Sequence, residues 1–188
     1  MPAPTSSAPL APRPPARDVL APLPHRELVL RYRVGVENFD PRVLKLSDAQ
    51  LDRGFAAGDG VGLWSCRVLL GHLADAELSF VHRLRRVAAE DAPVFSVWDE
   101  NAFIESGLYG RGEDGRRFPI GAFVAAIHTL RQWTSEWLGT LSDEQWARRG
   151  LHPQRGEQTL RTILEYATWH VEHHAWYLHR KLAILTGA

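Results

Sequence analysis

After Pro24, apolar residues recur every three or four positions, the spacing of helices that bury one face. This spacing predicts four long helices. The first stops at Asp40-Pro41, the second at Asp91-Ala92-Pro93 and the third at Gly139, because such residues end a helix. Their predicted starts lie near His25, Ser65, Pro119 and Thr159.

The connection between the second and third helices, residues 94–118, is rich in glycine and aromatic residues. It predicts one short helix around Asp99–Ser106. Connections of this length often carry function.

A weak internal repeat divides the chain into two similar halves. The segment Leu46–Leu51 recurs as Leu141–Trp146, 95 residues later, and each copy begins with a Ser-Asp helix start. Each half is then predicted to hold a helix, a short serine-capped helix and a long helix. The match is short enough that chance remains an alternative to duplication.

Together these elements predict an all-α protein, a four-helix bundle with long connections over residues 25–188. Residues 1–24 contain eight of the twelve prolines and are predicted to be a flexible tail. The tail lacks the basic start and continuous apolar run of a signal peptide.

Composition narrows the function classes. The 188 residues carry 22 Lys+Arg and 22 Asp+Glu, and this balance gives no strong nucleic-acid signal. No run of 18 apolar residues indicates a membrane span. The single cysteine, Cys66, cannot form an internal disulfide, which fits a reducing compartment, and we expect a cytoplasmic protein. We expect its partner to be a small-molecule substrate.

Three histidines lie on predicted core faces. His170 and His174 are one helical turn apart on the fourth helix, about 40° apart around its axis. His72 lies on the apolar stripe of the second helix. A lone histidine on such a stripe is more often a hydrogen-bonded core residue, but one divalent cation would satisfy all three rings together.

Three neutral imidazoles suit zinc, nickel or iron and leave coordination positions open. Such an ion lowers the pKa of a coordinated water or thiol, so that a nucleophile forms near neutral pH. The histidine set therefore predicts a catalytic rather than a closed structural site.

The motifs resemble the DinB/YfiT-like superfamily over residues 28–185. The matching pieces are Trp64-Ser65, the segment Gly71–Glu77 and the segment Trp169–His174. The resemblance implies a four-helix bundle, a homodimer, and a divalent metal held by His72, His170 and His174. It implies no ligand role for His173, which the sequence alone leaves as a substitute ligand or as a residue that orients one.

The resemblance also implies a range of activities. Some members are S-transferases that use a low-molecular-weight thiol such as bacillithiol or mycothiol. A metal-bound thiolate attacking a small electrophile is the function we expect first. The alternatives are a hydrolase that uses metal-bound hydroxide and a non-enzymatic, stress-related metal-binding bundle.

Four other residues are weighed for a place at the site, and no catalytic residue is assigned. Glu77 is either a surface carboxylate or a residue that orients a metal ligand. Arg83, Trp98 and Tyr109 are candidates for binding the substrate or the thiol, against the simpler interpretations of a helix-end charge and aromatic packing.

Overall fold

The computed structural model describes residues 14–110 and 115–187, and long helices form most of it. A short antiparallel hairpin precedes the last helix, with β1 (Arg149–His152) paired to β2 (Gly156–Thr159). The helices of the described ranges are α1 (His25–Arg33), α2 (Asp48–Asp52), α3 (Cys66–Ala89), α4 (Glu100–Glu105), α5 (Ile120–Leu138), α6 (Asp143–Trp146) and α7 (Leu160–Thr186).

Four of these helices make the bundle. Helix α3 packs against α5 and α7, and α1 packs against the same two helices. The predicted all-α four-helix bundle is confirmed. The interior contains the apolar stripes of all four helices, and both α3 and α7 send histidines into it.

The two longest helices begin where their capping residues predict. The Ser65 hydroxyl accepts a hydrogen bond from the backbone N–H of Val68, and the Thr159 hydroxyl accepts one from Thr162. Each cap satisfies a donor that the first turn of a helix leaves unpaired. The capping residue therefore fixes where each helix starts. The start of the helix in turn fixes the position of its histidines along the bundle axis.

The first predicted helix is shorter than expected. It ends at Arg33 and is followed by a 3₁₀ turn over Gly35–Asn38. Arg131 of α5 donates from Nη1 to the Tyr32 carbonyl at 2.9 Å. A Cβ at residue 35 would overlap the same guanidinium, so Gly35 makes room for it.

Both halves contain the predicted short capped helix. Ser47 and Gln50 form a reciprocal capping box at the start of α2, and Ser142 and Gln145 form the same box at α6. The order of a helix, a short capped helix and a long helix is therefore the same in each half.

The prediction of a flexible tail over residues 1–24 is wrong for its described part. Residues Arg17–Leu20 form a 3₁₀ turn, and Leu20 is buried in the core. The indole Nε1 of Trp169 donates to the Pro15 carbonyl at 2.8 Å, and Arg161 donates to the carbonyls of Leu20 and Leu23. The proline-rich composition suggested that the entropy cost of ordering this segment would exceed its packing energy. Packing against α7 offsets that cost. Residues 1–13 lie outside the described ranges.

The β-hairpin was not predicted. Leu151 of β1 exchanges two backbone hydrogen bonds with the chain after α3, one from its N–H to the Pro93 carbonyl and one accepted from Phe95. Gly150 allows the Phe95 ring to approach, because a Cβ there would overlap it. The hairpin thus fixes the path of the connection that follows α3.

Across the described ranges, no helix is both long enough and apolar enough to span a bilayer.

Candidate metal centre

Three imidazoles from two helices converge inside the bundle. His72 of α3 and His170 of α7 place their Nε2 atoms 3.2 Å apart. The ring of His174 lies 5.3 Å from that of His72 and 4.6 Å from that of His170, between centroids. One nitrogen from each ring falls in a group whose members are within 4.8 Å of one another. We call these three residues the three-histidine centre.

Local helix geometry and helix packing both position this centre. His170 and His174 are four residues apart, so they lie one above the other on α7. Their partner comes from α3, which packs directly against α7. The centre therefore needs both halves of the chain.

Burial keeps the rings neutral. It lowers the pKa of His72 to about 4 and that of His174 to about 3. The positive charges that His72 and His173 would carry contribute a smaller part of this lowering of the pKa of His174. Burial also lowers the pKa of His170, helped by the charges that His174 and His72 would carry. A neutral imidazole is the form that binds a metal ion. Three neutral rings this close together can each donate a nitrogen lone pair to the same cation.

The donor set fits a small divalent cation. A tetrahedral ion with bonds of about 2.0–2.1 Å separates its ligands by roughly 3.3 Å. The 3.2 Å between the Nε2 atoms of His72 and His170 matches that spacing. Three nitrogen donors also leave a position for water or substrate, as in catalytic zinc sites. The residues present therefore suit zinc, nickel or ferrous iron.

The second nitrogen of His72 faces a carboxylate. Its Nδ1 is buried and has no hydrogen-bond partner among the described residues, and the nearest Glu100 oxygen is 3.7 Å away. Metal-binding histidines commonly direct their other N–H toward a carboxylate, which holds the ring in place. Glu100, the first residue of α4, is the residue in that position here.

Aromatic rings cover the centre. Trp64 lies 4.8 Å from the ring of His72 and 6.2 Å from that of His174, between centroids. Trp98 stacks on His72 at 5.6 Å, and Phe80 meets His170 edge-on at 5.7 Å. This packing limits the rotation of the ligand rings.

Two cavities reach the centre. The first has a volume of about 520 Å³ and includes His72 and His170 in its wall. The second has a volume of about 500 Å³, includes His174, and is bordered mostly by apolar residues. The charged and polar wall of the first cavity includes Arg83, Asp99, Glu100, His152, Gln154 and Arg155.

Of the residues proposed for substrate binding, Arg83 and Trp98 line the first cavity. Tyr109 lines neither cavity, so the cavities give no support to its predicted role in binding the substrate or the thiol. Its ring is buried against Gly71 and meets Phe123 edge-on at 6.3 Å. Burial also raises the pKa of its hydroxyl far above the ordinary tyrosine value.

Glu77 is buried, so the interpretation as a surface carboxylate is wrong. It pairs with Arg131 at 2.8 Å and accepts a hydrogen bond from the Tyr32 hydroxyl. Arg131 in turn donates from Nη2 to the Ala167 carbonyl at 2.7 Å, one turn before His170. The pair thereby ties α3 and α5 to the part of α7 that carries the ligands.

His173 lies beside the centre but outside the three-histidine group. Its ring packs against Trp169 at 4.7 Å and Tyr177 at 5.1 Å, and it lines the second cavity. It is adjacent in sequence to His174 of the three-histidine centre, yet its side chain lies on another face of α7.

Sequence reasoning missed Glu100, His152 and Arg155. Glu100 approaches His72 only because the connection after α3 folds back. His152 and Arg155 belong to the hairpin, whose two strands have only four residues each and contain glycine. No spacing rule connects these residues to the histidines.

Comparisons with known proteins identify relatives of this chain. A profile of the DinB superfamily matches residues 16–178. Bacillus subtilis YfiT is 30% identical over 131 residues, 69% of this chain and 67% of YfiT. A protein of Oceanobacillus iheyensis is 28% identical over 139 residues, 71% of this chain and 74% of its own. Both are named as candidate metal-dependent hydrolases.

The solved structure of YfiT, described as an unusual four-helix bundle, has a TM-score of 0.73 to this chain. The match covers 87% of each chain at 24% identity and concerns the fold.

Proposed function

Because this chain belongs to the DinB superfamily, whose profile covers residues 16–178, we propose that it is a metal-dependent S-transferase. In this proposal the three-histidine centre activates a low-molecular-weight thiol, of the bacillithiol or mycothiol kind, for transfer to a small electrophile. The observation that supports it is that two cavities of similar size reach the three-histidine centre, one lined by His72 and His170 and the other by His174.

The metal ion would be held by His72, His170 and His174. When bound, a divalent cation supplies a Lewis acid that favours thiolate over thiol near neutral pH. The neutral rings hold that cation without cancelling its charge. The rings of Trp64 and Trp98 lie against the His72 ring, at 4.8 and 5.6 Å between centroids, and hold it in place.

The sulfur nucleophile has to come from a small molecule. Cys66, the one cysteine of the chain, is fully buried, and burial raises the pKa of its thiol to about 11. It packs in the core around Leu69 and Leu70 and borders neither cavity. A thiol with so high a pKa is a poor nucleophile.

Two cavities favour two reactants. The first, with its charged wall, suits a polar thiol, and the second, with its apolar wall, suits the electrophile. In the transfer, a new bond joins the sulfur to the electrophilic carbon as the bond to the leaving group breaks. The leaving group departs with its electron pair, and the thiol proton passes to solvent.

A second candidate is a hydrolase in which the same cation activates water. Two observations favour it: the names of the relatives, and the half-exposed Glu100 carboxylate beside His72. Glu100 would accept a proton from the attacking water. This reaction uses one organic substrate and leaves the second cavity without a role.

The test is an assay of the zinc-loaded or nickel-loaded full chain with a chromogenic electrophile, with and without bacillithiol, mycothiol or cysteine. We expect product only when thiol and metal are both present. Ester or amide cleavage without thiol would favour the hydrolase. Absence of turnover with every thiol across several electrophiles would contradict the proposal.

A non-enzymatic bundle makes a different prediction for metal removal. If the ion is purely structural, its removal by a chelator should also cause loss of helical structure. A catalytic ion should leave the far-ultraviolet circular dichroism largely unchanged while activity disappears.

A further inference from the structure

Arg83 is a buried cation in the wall of the first cavity, and no carboxylate of the described ranges pairs with it. The residue is 7% exposed. Its Nη2 donates to the Ser96 carbonyl at 3.1 Å, and its Nε is buried with no hydrogen-bond partner in the part of the chain that the structure describes. An unsatisfied buried donor on a charged group costs folding free energy. A ligand that accepts from this donor would recover that cost.

Two further donors line the same cavity. Arg155 is exposed, and its guanidinium carbon lies 4.5 Å from the centre of the Tyr166 ring, above its face. The Nδ1 of the buried His152 accepts a hydrogen bond from the Gln154 N–H, so the proton of its neutral ring lies on Nε2. Neither residue forms an ion pair within the described part of the chain.

These donors lie at a distance from the metal centre. Arg83 and His72 are both on α3, eleven residues apart, and both line the first cavity. Eleven residues are about three helical turns, so they share a helix face roughly 16 Å apart along the axis. One elongated molecule could therefore reach both groups, although a single small ion could not.

The charged residues of the first cavity favour a carboxylate over a phosphate as the bound anion. Glu100 and Asp99 also line it, with a Glu100 oxygen 3.7 Å from His72 Nδ1. These carboxylates repel a phosphate dianion more strongly than a single carboxylate. A planar guanidinium also matches a carboxylate with two parallel hydrogen bonds.

We propose that the first cavity binds an elongated small molecule by a terminal carboxylate, which pairs with Arg83 and Arg155. The proposal rests on the proposed function in one respect: the other end of that molecule reaches the three-histidine centre. It assigns a carboxylate-bearing thiol or substrate to this site.

The experiment measures binding by calorimetry to the zinc-loaded full chain. Hexanoate is the probe, hexanamide is its uncharged counterpart, and inorganic phosphate is the competing anion. The variants are Arg83→Gln and Arg155→Gln. Arg85→Gln is the matched control, because it removes the same charge from an exposed arginine of α3 that packs on Trp133.

We expect hexanoate to bind the wild type at least ten times more tightly than hexanamide. Arg83→Gln and Arg155→Gln should each weaken hexanoate binding several-fold, and Arg85→Gln should leave it unchanged. Since Arg155 is exposed, its variant still tests the site if Arg83→Gln does not fold.

Three results would overturn the proposal: equal binding of hexanoate and hexanamide, equal effects of Arg155→Gln and Arg85→Gln, or phosphate binding more tightly than hexanoate. Hexanoate that bound only through the zinc ion would be insensitive to both arginine variants. These readouts involve no turnover, so the anion site and the transferase reaction can fail separately.

Discussion

The two nitrogens of His72 face different surroundings. Nε2 is directed at His170, while Nδ1 is directed at the carboxylate of Glu100. In a metal site the first would bind the ion and the second would donate its proton to a carboxylate. His72 therefore links the ligand group to the short helix α4 that closes over it.

Glu100→Gln tests this link. Losing the carboxylate should weaken metal affinity by about 10–100-fold, because the His72 ring loses orientation and basicity. Competition against a chromogenic chelator measures the affinity. Glu105→Gln, an exposed position on the same helix, is the control. Equal affinities for the two variants would show that Glu100 does not act on the centre.

Residue spacing predicts only some of these roles. The pair His170 and His174 follows from one turn of one helix, which sequence alone reveals. Glu100 and Arg155 act through chain paths that depend on tertiary packing. The surroundings of Tyr109 and Glu77 could not be predicted for the same reason, because the residues that contact them are far away in sequence.

At the scale of elements, the side chain of Tyr109 packs against α3 at Gly71, next to His72. Gly71 precedes His72, and the Tyr109 ring occupies the space where a Cβ would lie. Tyr109 is itself buried, with little room to move. The close contact brings the connection after α4 against the ligand-bearing turn of α3.

Gly71→Ala should therefore destabilise the protein by about 1–3 kcal/mol, the usual cost of overpacking, despite the better helix propensity of alanine. Urea unfolding measures the change. Gly121→Ala in α5 is the control, because a Cβ there meets no atom within 4 Å. It should stabilise by up to about 1 kcal/mol. A stabilising Gly71→Ala would show that Tyr109 does not pack there.

Helix boundaries were predictable where a side chain caps them, as Ser65 and Thr159 do. The first helix was predicted too long, and the Tyr32 carbonyl in its last turn accepts a hydrogen bond from Arg131 of α5, a contact that residue spacing does not reveal. The hairpin was missed because its stability comes from the chain around Pro93 and Phe95 rather than from its own pattern.

At the scale of the whole molecule, one charged network joins three separate segments. The buried Arg67 of α3 pairs with Asp52 and Asp48 of α2, at 2.6 and 2.5 Å. Arg117, before α5, pairs with the same Asp52 at 2.8 Å. Burial alone would raise the pKa of Asp52, but hydrogen bonds from Arg67 and Arg117 outweigh it and lower that pKa.

This network predicts how stability depends on pH. A carboxyl whose pKa is lower folded than unfolded stabilises the fold fully above its unfolded pKa, about 3.9, and loses that effect as pH falls through its folded pKa. Asp52→Asn should cost about 3 kcal/mol at pH 7, and the difference from wild type should shrink below about pH 4. Urea unfolding at several pH values measures it.

Asp48→Asn is the matched control, because the Asp48 carboxylate is mostly exposed and should contribute less than about 1 kcal/mol. A difference between wild type and Asp52→Asn that stays constant down to pH 3 would contradict this account.

The central claim is that side chains from both halves of the chain bind one divalent cation. Elemental analysis of untagged full-length protein tests it most directly, with circular dichroism to verify folding. One equivalent of metal is expected for the wild type and for His173→Ala, and far less for His72→Ala and His170→Ala, with helicity retained. A full equivalent in folded His72→Ala or His170→Ala, or its loss only in His173→Ala, would contradict the claim.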